Sequence, residues 1–133
     1  MDSSTSLHSL KLRVRNNIID YFEVASSAAE QREYERRVPI AQVPSEMINQ
    51  WEDCVPNADF DWYSMPEYSL DEQNMLRQFH SVWNYVVENT PYEMPYTVED
   101  LIGTPVWQRL IDAAGDALHV FGRRGRIDEA TPM

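Results

Sequence analysis

A chain of 133 residues with 43% hydrophobic content, four Trp, seven Tyr and four Phe suits one folded domain and lies outside the disordered regime. Its formal net charge of −11 argues against a phosphate- or membrane-binding surface, and its single cysteine excludes an intramolecular disulfide. No apolar run approaches the ~20 residues that span a bilayer, and no positive leader precedes an apolar block at the N-terminus, so a soluble cytoplasmic protein is expected.

The first helical segment runs from about Ser6 to Arg36. Leu7, Leu10, Val14, Ile18, Tyr21, Ala25 and Ala28 recur at steps of three or four, with Ile19 and Phe22 widening the stripe. Beyond Ala28 the pattern fades into QREYERR, which is expected to project or fray, with Glu33 and Arg37 spaced for a surface pair. Pro39 and Pro44 interrupt helix formation. A short second helix is read from Pro44 to Val55, with Met47, Trp51 and Cys54 or Val55 facing inward. An acidic, aromatic loop from Pro56 to Tyr68 follows, long enough to suggest a role.

Ser69-Leu-Asp-Glu72 has the form of a capping box and opens a third helix, whose stripe is Leu76, Phe79, Trp83 and Val86 or Val87. Thr97-Val-Glu-Asp100 suits a single turn. Thr104-Pro105 opens the last helix, with Leu110, Ala114, Ala117 or Leu118 and Phe121 inside and Gly122 at its end. These pieces predict a mostly α, irregular single-domain bundle of about four to five helices with long proline-rich connecting loops. Residues 1–122 form the predicted helical domain. Residues 123–133 lack an apolar pattern and are expected to be disordered.

The charge is unevenly placed. Residues 1–37 carry six Lys/Arg and six acids, and residues 105–133 carry four Arg and four acids. Residues 38–104 hold twelve acids and one base, Arg77. Acids at helix starts (Glu46, Asp71, Glu72, Glu99 and Asp100) follow from the helix macrodipole. Asp59, Asp61 and Glu67 have no such explanation, and they sit among Phe60, Trp62, Tyr63, Met65 and Tyr68. Tyr92-Glu93-Met94-Pro95-Tyr96 repeats the mixture.

Chemistry finds little support. His8, His80 and His119 fall on separate helices, and Asp116 with His119 is a lone i, i+3 pair where a di-iron bundle needs two. Cys54 lies beside Glu52 and Asp53, which raise a thiol pKa. No glycine-rich phosphate loop or nucleophile elbow is present. No metal or cofactor is therefore predicted. Aromatic side chains interleaved with carboxylates match an interface for a Lys/Arg-rich surface. The expected activity is non-enzymatic binding that neutralises or regulates a basic protein, in the manner of immunity proteins and antitoxins. The partner-binding residues would be Asp59, Asp61, Trp62, Tyr63, Glu67, Tyr68, Tyr92 and Glu93. Two alternatives are a nucleic-acid mimic that blocks a DNA- or RNA-binding protein and an enzyme built on His80, His119 and Asp116. Self-association through Arg32, Arg36 and Arg37 is a further competitor, and the GRRGR tail is too small a cluster to bind nucleic acid on so acidic a chain.

Overall fold

The computed structural model describes residues 3–55, 59–91, 93–95 and 97–133. Its elements are α1 (Ser3–Ala25), α2 (Ala28–Arg37), α3 (Val43–Cys54), α4 (Leu70–Asn89) and α5 (Pro105–Gly122). Single 3-10 turns lie at Phe60–Trp62 and Val98–Asp100, and no strand occurs among the described residues. The irregular, all-helical, single-domain bundle expected from the sequence is what is found.

The capping chemistry is as read. Ser69 Oγ accepts from Glu72 N at 3.2 Å while the Glu72 carboxylate accepts from Ser69 N at 3.1 Å, closing the box that starts α4. Thr104 Oγ1 accepts from Trp107 N at the start of α5, with Pro105 in the first turn.

The first segment is two helices, not one. Ser26 and Ser27 break it, and Ser27 becomes the cap of α2 by accepting from Glu30 N at 3.1 Å. The turn lets α2 fold back where a continuous helix would project. Gln31, fully buried, then bridges both sides: its Nε2 donates to Ala25 O at 3.2 Å, and its Oε1 accepts from Trp107 Nε1 at 2.9 Å. A hydrogen-bonded buried amide of this kind fixes register as well as contact.

Helix α5 packs along α4 and α1, and α3 closes the other side of α1. At the centre the Trp51 ring meets Phe79 edge-on at 4.5 Å, and Phe22 meets Phe79 at 5.1 Å. Fully burying each such side chain contributes roughly 1.5–3 kcal/mol. Trp83 Nε1 donates to Ile48 O at 3.1 Å and fastens α4 to α3.

The C-terminal segment departs from expectation. Residues 123–133 lie along α1, held by hydrogen bonds that the local sequence does not announce. Asn16 Nδ2 donates to Ile127 O at 2.8 Å while its Oδ1 accepts from Ile127 N at 3.0 Å. Ser9 Oγ donates to Glu129 O, and Arg126 pairs with Asp20 and Glu23. The segment docks through backbone and charge, so it needs no apolar stripe of its own.

Candidate interaction surface

The acidic, aromatic loop is built by folding its rings inward. Asp59 Oδ1 accepts from Asp61 N at 3.0 Å and starts the 3-10 turn at Phe60–Trp62. Phe60 meets His80 edge-on at 5.1 Å and lies 5.6 Å from the Arg77 guanidinium. Trp62 is half-buried, with Lys11 Nζ 5.5 Å from its ring. Tyr63 and Tyr68 are 1% and 0% exposed and pack edge to face at 5.4 Å. Glu67 is buried as well; its Oε2 accepts from His8 Nδ1 at 2.5 Å, and its Oε1 lies 3.9 Å from Lys11 Nζ.

Three of the residues predicted to meet a partner are therefore corrected. Tyr63, Glu67 and Tyr68 belong to the interior, because α1 turns His8 and Lys11 toward this loop, Tyr68 OH donates to Lys11 O, and buried polar groups demand partners. Asp59, Asp61 and Glu93 are exposed, and Trp62 is half-buried. Tyr92 lies outside the described residues.

The two halves of the predicted patch do not meet. Asp61 pairs with Arg77 in the first half of α4, whereas Glu93 follows the end of that helix beyond Val87 and Thr90. Ten residues of α-helix separate 77 from 87, a rise of about 15 Å. Next to Glu93 the structure instead reveals a groove of about 270 Å³, walled by Ile48 of α3 and by Val87, Pro91 and Met94, with Ser45, Asn49 and Thr90 at its polar edges. The signal available in the sequence was Val87, a second apolar residue beside the inward Val86.

Charge pairing decides which acids face outward unbalanced. Among the described residues every Lys and Arg but Arg109 stands within ion-pair distance of a carboxylate. Arg109 lies over the Tyr85 ring at 4.5 Å. Arg32 is committed to Glu99, and Arg36 and Arg37 to Glu33. The exposed acids Glu30, Glu52, Asp53, Asp59, Glu88, Glu93, Asp100, Asp112, Asp116 and Asp128 have no such ion pair among the described residues, and Glu52, Asp53, Asp59, Glu88 and Glu93 are those on α3, the 59–61 turn and the end of α4.

The histidines are engaged in structure. His80 Nδ1 accepts from Trp51 Nε1 at 3.1 Å, and the ring stacks on Trp83. Burial lowers its pKa, which keeps the ring neutral and able to accept. His119 and Asp116 are exposed on α5. Among the described residues no group of three His, Cys, Asp or Glu is placed to hold a metal. The Cys54 thiol is pushed up to about 11 by burial, then by Asp53 and Asp20, so it stays protonated. No helix among the described residues is long and apolar enough to cross a membrane.

Comparison with protein families, with curated proteins and with solved structures finds no match. Function is therefore argued from this chain's own residues.

Proposed function

We propose that this chain is a non-enzymatic binding protein for a basic protein partner, acting through carboxylates of α3, the 59–61 turn and the end of α4. The observation that carries the reading is the pairing pattern. The basic residues are spent inside the molecule, while Glu52, Asp53, Asp59, Glu88 and Glu93 are left exposed without ion pairs. Such a field accelerates encounter with a cationic surface and repels nucleic acid. Trp62, half-buried beside Asp61, supplies an aromatic contact of the kind that anchors interfaces.

Neutralisation of a basic toxin or of a nucleic-acid-handling protein is the form of regulation that this charge serves best, by occluding a cationic active site. A reducing cytoplasm suits a chain whose one cysteine is free. The structural engagement of His80, and the exposure of His119 and Asp116, support binding over catalysis.

The test compares the wild type with a Glu52→Gln, Asp53→Asn, Asp59→Asn, Glu93→Gln variant, both immobilised and exposed to lysate of the source cells. One basic protein retained stoichiometrically by the wild type, released by salt and lost by the variant, is the expected result. Equal retention by both, or none by either, overturns the proposal.

A further inference from the structure

We infer that the groove between α3 and the end of α4 seats an amphipathic basic segment of the partner, one apolar side chain resting on Ile48, Val87 and Met94 while flanking Lys or Arg meet Glu52 and Glu93. This rests on the binding-protein reading and adds where the contact is made and what it recognises.

The groove is lined by Ile48, Val87, Pro91 and Met94 with Ser45, Asn49 and Thr90, and the exposed carboxylates Glu52 and Glu93 neighbour those lining residues on α3 and after α4. Val87 is 39% exposed although its neighbour Val86 is fully buried, so the last turns of α4 carry an aliphatic side chain outward here, as Leu70 does at the helix start. Ser45, Ile48, Asn49 and Glu52 recur at three- and four-residue steps and share one face of α3. Glu93 adjoins Met94. Residues 43–54 and 83–95 contain no Lys or Arg, so a cationic occupant meets no like charge on either wall.

The two helical walls are also fixed in advance. Trp83 is 6% exposed and its indole N–H holds the Ile48 carbonyl, which locks α3 against α4 beneath the groove. A preformed site avoids the ordering cost that weakens flexible ones. Charge complementarity selects the occupant. A second copy of this chain would offer mainly arginines already committed to Glu33, Glu72, Glu99 and the other internal acids. An acidic segment would be repelled. A helix or extended strand with Lys or Arg on each side of a Leu, Ile or Met fits both features, in the groove-binding mode of amphipathic peptides.

Three short peptides test this against isotope-labelled full-length protein by NMR titration. One alternates Lys with a Leu stripe, one keeps the Lys and replaces Leu by Ser, and one keeps Leu and replaces Lys by Glu. The Leu–Lys peptide is expected to bind tightest and to shift Ile48, Asn49, Val87 and Met94. Val87→Gln, at an exposed position, is expected to weaken it about tenfold while leaving the remaining spectrum in place. Shifts centred on Asp59 to Trp62 would leave binding of basic partners standing and overturn the groove assignment. Equal binding of the Lys–Ser or the Leu–Glu peptide would overturn the anchored mode. Concentration-dependent shifts of the free protein at the groove would assign it to a second copy instead. Failure of every basic peptide would overturn the inference, while the lysate comparison decides the binding function separately.

Discussion

Arg15 and Glu72 form an ion pair with almost no access to solvent, at 0% and 1% exposure. Glu72 Oε2 accepts from Arg15 Nη2 at 2.8 Å, and its Oε1 accepts from Arg124 Nη2 at 2.6 Å and from Ser69 N. One carboxylate thus caps α4, neutralises α1 and holds the start of the C-terminal segment. Burial pushes its pKa up, but the two guanidiniums and the Ser69 N–H outweigh this and hold it below the usual value. Arg15→Met is expected to cost about 3 kcal/mol in urea unfolding, because it leaves the buried Glu72 carboxylate with Arg124 as its one remaining cation and removes the donor to the Gly125 and Phe121 carbonyls. Adding Glu72→Leu should recover much of that loss, and strictly additive losses would refute the coupling. A depressed carboxylate stabilises above its unfolded value of 4.5 and ceases to as pH falls through the lower folded value. The pH dependence between the two, measured in wild type and Glu72→Gln, should therefore shrink in the variant.

At the scale of elements, α1 shows what a sequence pattern reveals and what it conceals. The stripe through Ile18, Tyr21 and Ala25 is buried as its spacing indicates, yet Leu7 and Leu10 are 45% and 43% exposed. In that half of the helix the inner face is His8, Leu12, Arg15 and Ile19, so two polar residues replace the aliphatic ones the pattern favours. Their partners, Glu67 and Glu72, lie more than fifty residues away, beyond the reach of periodicity. The docking of residues 123–133 was hidden for the same reason. His8 joins these parts: Nδ1 faces Glu67 and Nε2 faces Thr131 O at 2.6 Å, two acceptors that require both ring nitrogens to carry protons. The Thr131 carbonyl and then Glu67 raise its pKa; Lys11 stands beyond Glu67, and Glu129, paired with Arg13, shares the adjoining cavity. A raised histidine stabilises fully below its unfolded value of 6.5 and loses that contribution as pH rises through the folded one. Amide exchange of Ile127 to Thr131 should accelerate as pH rises above 6.5, after correction for intrinsic rates. His8→Ala should abolish the step, and a step that persists would assign it elsewhere. Ser27→Ala, at the break between α1 and α2, should cost about 1 kcal/mol.

For the whole molecule, caps, prolines and helical stripes were enough to expose the class of fold, whereas the surface was legible only as a composition. The excess of acids between residues 38 and 104 is a property of the sequence, but which acids stay unpaired depends on where Arg13, Arg32, Arg123 and Arg126 land. The same dependence removed Glu67 from the predicted surface while leaving Asp59 and Glu93 on it. A field of −11 on so small a body is self-repulsive, and folding concentrates it relative to the open chain. The ion pairs that oppose it at the surface, such as Arg13–Glu129 and Arg126–Asp20, are solvent-exposed and each contributes little. Screening acts on both, over a Debye length of about 10 Å at 0.1 M salt. Neutral ion pairs leave the net charge of −11 uncompensated, so repulsion is the larger quantity to be screened. Melting temperature should therefore rise with added sodium chloride at neutral pH, even as the exposed pairs weaken. Neutralising Glu52, Asp53, Asp59 and Glu93 together should raise the midpoint at low salt and flatten its salt dependence. A midpoint that falls with salt in the wild type would mean that the surface pairs dominate, and would remove the unbalanced field on which the proposal of partner binding rests.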